Sequence, residues 1–431
     1  MVKKWQSPPP ETQPVLPNPD ITLLWLTETY PPGRGGMAQS CDRIVHGLRQ
    51  RGVRVDVVHF NKRARRASME QQQHGSYLTF PVAADPAHTL NTLWNRISVD
   101  TGRSRWTHIA AFGGTLPLLA GPVFAAWLGV PLVTMLRGND FDLGIFHSKR
   151  QAMLREAVQQ AAAVAVVTQD HARKIAAYYP GVRPVWIPNG IALEGWEPLP
   201  SDLARAAEWK TGVVEPSHTV IGLIGHLKAK KGGRFFIDTV LASGLADRFH
   251  LLLIGETPPE LVEYLEIHEA DLHYSLHPFL DRYALLRFYP ACDYVAIPSF
   301  YDGLPNVLLE AAALGIPLMA STAGGMADVL RDGTHGFLFA PGDRAGCHRA
   351  LHRAAAATDE HQRKLGQACR KLIHEHLTED LEATRYATLF AECHAGKSLP
   401  ARNGIALQPN REIDPSGHLY EAALDTPSTF T

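Results

Sequence analysis

The stretch YDGLPNVLLEAAALGIPLMAS, residues 301–321, sets two carboxylates, Asp302 and Glu310, around a short loop that opens an apolar helix. Pro305 suits a first helical turn, where its missing N–H would be unpaired anyway, and Gly303 can take backbone angles that bring amides close to a ligand. Unpaired amides and the helix dipole make such an N-terminus attractive to phosphate. At ~1.5 Å per residue Glu310 lies about 8 Å along the axis, on the side that shares the loop's outlook; a nucleotide sugar is about that long. The spacing suggests a diphosphate on the amides near Gly303 and Leu304, Glu310 accepting hydrogen bonds from a ribose diol, and Asp302 holding hydroxyls of a transferred sugar. Asn306, in the same first turn, is counted with these as a binding residue. Taken alone, the segment equally suits a capped core helix with Asp302 as N-cap and Glu310 on a solvated face.

The elements that must position these groups form two series. From Asp20 the chain reads ITLLWLTE, then YPPGRGG, a helical stretch over Met37–Arg51, and VRVDVVHF: a strand-helix-strand unit with Gly35 and Gly36 in its first turn. Such glycines would let backbone approach a diphosphate or an acceptor. HIAAFG, PLVTML, AVAVVT and PVWIPN follow, separated by helical stretches, as expected for a parallel sheet covered on both faces. A polar, Trp-dotted segment, LEGWEPLPSDLARAAEWKTGVVEPSH, reads as a domain connection before a second series, TVIGLIG, FHLLLIG, LHYSLH, YVAIPS and PLMAS. The expected organisation is a flexible leader over 1–19, an α/β domain over 20–195, a second over 196–376, a last helix over 377–396 crossing back to the first domain, and a poorly ordered tail over 397–431.

Composition bounds the function. A chain of 431 residues, 45% hydrophobic and 20% charged, is long enough for two cores. Lys and Arg number 42 against 43 Asp and Glu, so the basic excess that nucleic-acid binding needs is missing. The five cysteines show neither CxxC spacing nor a pairing pattern, and the N-terminus has no apolar run before its prolines, which together point to a reducing cytoplasm. The apolar region 109–136 is long enough to raise a membrane span, but its glycines and prolines favour strand, helix, strand. NKRARRAS, residues 61–68, reads as a solvated basic loop in preference to a lipid-headgroup site. The histidines of HEADLH and IHEH lie five and two apart, not at the zinc-protease helix spacing, and no GxxxxGK[ST] phosphate loop occurs.

In order along the chain, VWIPNGIALEGWEP, IGHLKAKKGG, PSFYDGLPNVLLEAAALGIPLMASTAGGMADVL and GTHGFLFAPGD resemble the motifs of the retaining glycosyltransferases of family 4. The resemblance covers roughly residues 20–395 and implies the GT-B fold, two Rossmann-like domains with parallel sheets facing across a cleft. It implies that Lys231 binds the diphosphate and that His226, following Gly225, stands where Arg is usual. It also implies that Asp302 replaces the family's first Glu, while Glu310 keeps its second. Phe279, in LHPFLD, falls where the family binds the base, with Pro278 in place of a common Gly. In VTMLRGNDFDLGIFH, Arg137 takes the position of the family's His, followed by Gly138, Asn139 and Asp140. An always-charged Arg is no general base near neutral pH but can bind phosphate or a sugar hydroxyl; an interdomain ion pair is the alternative.

The resemblance implies a metal-independent hexosyltransferase with no cofactor. A nucleoside diphosphate sugar would be the donor, and a sugar, glycan or lipid-linked acceptor would receive the sugar in glycan, polysaccharide or glycolipid biosynthesis. The expected location is cytoplasmic, with possible peripheral contact at the inner membrane face. Because Asp302, His226 and Arg137 all depart from the family pattern, a nucleotide-sugar-binding protein with little transfer activity stands as the alternative, together with a GT-B epimerase or phosphorylase.

Overall fold

Strands buried on both faces need no polar alternation, and short continuous apolar runs therefore form the two parallel sheets. The computed structural model describes residues 21–33, 35–99, 105–138 and 140–395; the expected leader and tail, and Asn139, lie outside them. The first sheet contains β1 (Thr22–Thr27), β2 (Arg54–Asn61), β3 (Ser68–Gln72), β4 (Gly75–Pro81), β5 (His108–Phe112), β6 (Leu132–Leu136), β7 (Ala163–Val166) and β8 (Pro184–Trp186). Its order is β3-β4-β2-β1-β5-β6-β7-β8, parallel except for the β3–β4 pair. The second sheet contains β9 (Thr219–Ile224), β10 (Phe249–Ile254), β11 (His273–His277), β12 (Tyr294–Ile297), β13 (Leu318–Ser321) and β14 (Gly336–Phe339), all parallel in the order β11-β10-β9-β12-β13-β14. The fold is GT-B: two Rossmann-like α/β domains, as the motifs imply.

In both sheets the strand order reverses at the first strand of the series. β1 lies between β2 and β5, and β9 lies between β10 and β12. Ligands of open α/β sheets bind outside the carboxyl ends of the strands at such a switch point. The Gly35–Gly36 turn follows β1, and the loop that carries His226 and Lys231 follows β9.

The 109–136 region is β5, a helix over Thr115–Leu128 closed by Gly129 in left-handed conformation (φ 67), and β6. Among the described residues no helix is long and apolar enough to cross a membrane. The basic 61–68 loop links β2 to β3 with Lys62, Arg63, Arg65 and Arg66 exposed. Four elements depart from the sequence reading, among them β4 (GSYLTFP), which no run of the first series anticipates. β3, SMEQQ, is exposed at every position and carries no apolar signal; it is held by its antiparallel pairing with β4. β14, inside GTHGFLFAPGD, follows the last run of the second series, and no run of that series anticipates it. The expected domain connection contains a helix, Pro200–Val213, whose Trp209 packs edge-on against His250 at 5.9 Å and Phe288 at 5.7 Å, so this segment is a layer of the second domain rather than a linker.

The helix Asp359–His376 buries Cys369, Leu372 and Ile373 in the second domain's core, whereas the next helix, Glu379–His394, buries Tyr386, Ala387, Leu389 and Phe390 in the cluster that holds Leu23, Trp25 and Val133 of the first. At the crossing, Ile191 and Thr378 form a parallel bridge. Ile191 N donates to Leu377 O at 2.9 Å, and Glu379 N donates to Ile191 O at 2.9 Å. A Cβ on Gly190 would sit 2.3 Å from Thr378 O, so the two passing backbones require glycine there. Glu382, 1% exposed, fixes the crossing by accepting from Arg43 Nε at 2.7 Å, Gly190 N at 3.0 Å and Arg137 Nη2 at 3.4 Å. Removing one partner of a buried ion pair leaves an uncompensated charge. Glu382→Ala should destabilise the chain by about 3–5 kcal/mol in chemical denaturation; a change below about 1 kcal/mol would contradict this role for Glu382.

Candidate functional site

The second domain's contribution is built from two loops that straddle the β9 switch point. After β9, Gly225 takes a left-handed φ of 108 and donates its N–H to Ile254 O at 2.8 Å, and the loop continues through His226 to a short 3-10 turn, Ala229–Lys231. After β12 the chain runs from Pro298 to Pro305. Phe300 N donates to Lys230 O at 2.9 Å, tying the two loops together. Across this junction Lys231 Nζ donates to Asp302 Oδ2, a partly buried ion pair. Ser299 Oγ donates to the same oxygen at 3.4 Å, and Gly303 N donates to Asp302 Oδ1 at 3.0 Å. His226 Nε2 meets Glu256 Oε2 at 3.0 Å in an exposed pair.

Two expectations need correction. The helix starts at Asn306 with Pro305 as its N-cap (φ −70, ψ 139), so Pro305 stands one place earlier than a first-turn proline. The Gly303 amide, expected to be free, is taken by the neighbouring Asp302 carboxylate. Among the described residues the Leu304 amide has no backbone partner. The capped-helix alternative also fails. Asp302 does not cap the helix, and Glu310 is half-buried with one carboxylate oxygen engaged: Tyr289, fully buried, donates its hydroxyl to Glu310 Oε2 at 2.7 Å. Burial pushes the Glu310 carboxyl up to about 7, with the Tyr289 hydrogen bond pulling the other way.

The first domain meets this loop closely. A Cβ on Gly303 would lie 3.2 Å from Val167 Cγ2 and 3.3 Å from Gly138 Cα, so a side chain there would push the lobes apart. Asn306 Nδ2 donates to Gln39 Oε1 at 2.8 Å, and a Cβ on Gly36 would sit 3.5 Å from the same Nδ2. Gly35 precedes the helix Gly36–Gln50 in a left-handed conformation (φ 110). The sequence-selected groups Gly35, Gly36, Gly225, Lys231, Asp302, Gly303, Leu304 and Asn306 thus converge, with Glu310 about one turn inside the helix. Phe279, 47% exposed, lies in the loop after β11.

Arg137 is the clear departure among the binding residues expected from the sequence. It is 3% exposed, and its guanidinium donates to the Tyr386 hydroxyl at 2.6 Å and to Asn189 Oδ1, and faces Glu382 at 3.4 Å. A guanidinium satisfied by these buried acceptors holds the returning helix and does not present itself to a ligand; the interdomain pairing is the one observed. Asp140 likewise serves the backbone. Its Oδ2 accepts from Arg137 N at 2.8 Å and its Oδ1 from Gly114 N at 3.5 Å, and burial raises its carboxyl. Asp140-Phe141-Asp142 spells an Asp-x-Asp triplet of the kind that can hold a metal on a diphosphate, but Asp142 is engaged by His171 at 2.9 Å and Lys174 at 3.1 Å. Among the described residues no group of three His, Cys, Asp or Glu is placed to hold a metal.

Three residues at the site were not singled out from sequence. Glu28, after β1, accepts from Thr115 N at 2.9 Å and Leu116 N at 2.6 Å, anchoring the start of the helix Thr115–Leu128 that follows β5. Tyr289 carries the Glu310 contact, and Asn189 donates to Leu304 O at 2.7 Å. Glu28 ends the run ITLLWLTE and Asn189 lies in VWIPNG, but the long-range partners of both have no local signature.

Comparison with known proteins agrees with this architecture. The model described as Glycosyltransferase Family 4 matches residues 34–194, and that described as Glycosyl transferases group 1 matches residues 218–356. The chain is 26% identical over 275 residues to the 2-deoxystreptamine glucosyltransferase of Streptomyces kanamyceticus, covering 58% of this chain and 69% of that one. It is 34% identical over 163 residues to D-inositol 3-phosphate glycosyltransferase 2 of Catenulispora acidiphila, covering 35% of this chain and 36% of that one, so it spans little more than a third of that relative. In fold it is similar to sucrose-phosphate synthase from Thermosynechococcus elongatus, with TM-score 0.72 and 17% identity over 87% of this chain and all (100%) of that one. It is also similar to Anabaena HepE in complex with UDP-glucose, with TM-score 0.69 and 17% identity over 86% of this chain and 100% of that one. With one model matching each of its two α/β halves, the chain belongs to glycosyltransferase family 4 and is a glycosyltransferase of the GT-B type.

Proposed function

We propose that this chain is a retaining, metal-independent hexosyltransferase that moves a sugar from a nucleoside diphosphate sugar to an acceptor hydroxyl of a glycan, polysaccharide or glycolipid precursor. The observation that carries the reading is the meeting of Lys231 and the Asp302–Asn306 loop at one switch point with the Gly35–Gly36 turn at the other. A diphosphate arriving there would find an ammonium, the Leu304 amide and the positive end of the helix Asn306–Ala313. Lys231 would exchange Asp302 for phosphate, freeing the Asp302 carboxylate and the Gly303 amide for the sugar and the diphosphate.

In the transfer step the bond from the anomeric carbon to the phosphate oxygen breaks and a bond to the acceptor oxygen forms on the same face. The acceptor's proton passes to the departing phosphate oxygen, so no protein base is needed. Lys231, His226 and the loop amides stabilise the charge that develops on the leaving diphosphate. Glu310, held by Tyr289, accepts the ribose hydroxyls and sets the donor's register. Two relatives are named for glucosyl transfer with 2-deoxystreptamine and for glycosyl transfer with D-inositol 3-phosphate, and the UDP-glucose bound by HepE is of the donor class proposed here. A reducing cytoplasm as the working compartment is supported by five free cysteines, four of them buried.

Titration of UDP, GDP and ADP into the full chain, followed by thermal unfolding, tests the reading: one of them should raise the melting temperature in a dose-dependent way. If none does at millimolar concentration, the proposal fails. Lys231→Ala should lower kcat about 10²-fold while weakening nucleotide binding much less; wild-type turnover would remove Lys231 from the mechanism. The Glu310 carboxyl must be ionised to accept both ribose hydroxyls, so nucleotide affinity should rise as pH increases through about 7, and Glu310→Gln should flatten that rise. Without ligand the sign is opposite. A carboxyl raised from its usual 4.5 to about 7 keeps its proton in the fold, so its contribution favours folding at low pH and is lost as pH rises through that window. A pH-independent affinity in the wild type would contradict the ribose role.

A further inference from the structure

Leu304 is clamped from both sides by carbonyl contacts, and one clamp comes from the other domain. The carbonyl of Gly303 accepts from Gly325 N at 2.7 Å within the second domain, whereas the carbonyl of Leu304 accepts from Asn189 Nδ2 at 2.7 Å. In a trans peptide the N–H points opposite to the C=O, so fixing the Gly303 carbonyl on Gly325 aims the Leu304 N–H away from Gly325. Fixing the Leu304 carbonyl sets the following peptide plane, which leads into Pro305 and the helix.

Asn189 is 8% exposed and uses both ends of its amide. Its Oδ1 accepts from Arg137 Nη2. A guanidinium offers only donors, so the amide oxygen must face Arg137 and the NH2 group must face Leu304; the reversed amide would set donor against donor. Arg137 is itself held by the Tyr386 hydroxyl at 2.6 Å and lies over the Phe112 ring at 5.5 Å from its centroid. A continuous polar chain thus runs from the returning helix Glu379–His394, through Arg137 and Asn189, to the loop that would face the diphosphate.

We infer that Asn189 is a positioning residue through which the first domain sets the phosphate-facing amide of Leu304, so that donor affinity depends on the two domains being in contact. The inference rests on the diphosphate reading of this loop. It also gives the Arg at position 137 a purpose: the residue has left the cleft and orients Asn189 from behind. When the lobes separate, Leu304 loses the Asn189 donor while Gly303 keeps Gly325, and the loop is left with one clamp in place of two.

Asn189→Asp separates positioning from folding. A carboxylate still accepts from Arg137, as an ion pair, but sets an oxygen against the Leu304 carbonyl. Calorimetric titration of UDP, GDP and ADP into wild type and variant should show affinity for the bound nucleotide falling about tenfold, with the unliganded melting temperature retained. Asn189→Ser, uncharged and smaller, loses the same contact and should weaken binding in the same direction, which guards against a folding defect in the Asp variant. Wild-type affinity in both variants would overturn the role of Asn189. Absence of binding by the wild type to all three nucleotides would instead overturn the reading of the site on which the inference depends.

Discussion

A loop that is to offer its amides to an anion cannot be held in place by those amides; it must be gripped by its carbonyls and side chains. Residues 302–305 meet that constraint. The Asp302 side chain is held by Lys231, the Gly303 carbonyl by Gly325, and the Leu304 carbonyl by Asn189, while Pro305 has no N–H to satisfy. The Leu304 amide is left unpaired among the described residues at the mouth of a helix. The Gly303 amide is closed by Asp302, so one carboxylate occupies both the ammonium and the amide that the proposed diphosphate would use. On that reading Asp302 is an internal stand-in for the ligand's charge and is displaced when the donor arrives.

Topology explains why these groups meet. Both sheets reverse direction at their first strand, so each provides a crevice at the carboxyl end of that strand, and the crossing of the last helix brings the two domains into one body. The closeness of the lobes is visible in what lies between them: Gly303 against Gly138, and Asn306 against Gln39. Glu382 secures the same arrangement from behind by pairing with Arg43 and Arg137, and the link between crossing and site passes through the buried, hydrogen-bonded side chains of Arg137 and Asn189. Such networks rigidify when every member is satisfied.

Much of this was legible in the sequence. Continuous apolar runs gave most strands, and the glycine turns and the 301–321 stretch marked both switch points, because strand periodicity and helix-terminus chemistry are local. What escaped was non-local. β3 has no apolar face and exists because β4 pairs with it. Trp209 reads as part of a linker until His250 and Phe288 are seen around it. Arg137 looked like a ligand-binding cation because its partners, Tyr386 and Glu382, stand about 250 residues away. Glu310 was placed by helix geometry, but the buried Tyr289 hydroxyl that fixes its carboxylate and the burial that raises its proton affinity are tertiary facts.

Diffraction from crystals grown with the tightest-binding nucleoside diphosphate tests the central claim most directly. The account predicts the diphosphate within hydrogen-bonding distance of Lys231 Nζ and the Leu304 amide, the ribose hydroxyls on Glu310, and Asp302 released from Lys231. A surface cavity of about 860 Å³ lined by Arg234, Tyr264, His268 and Arg344 offers a competing location in the second domain. A nucleotide seated there, or anywhere out of reach of Lys231, would contradict the account.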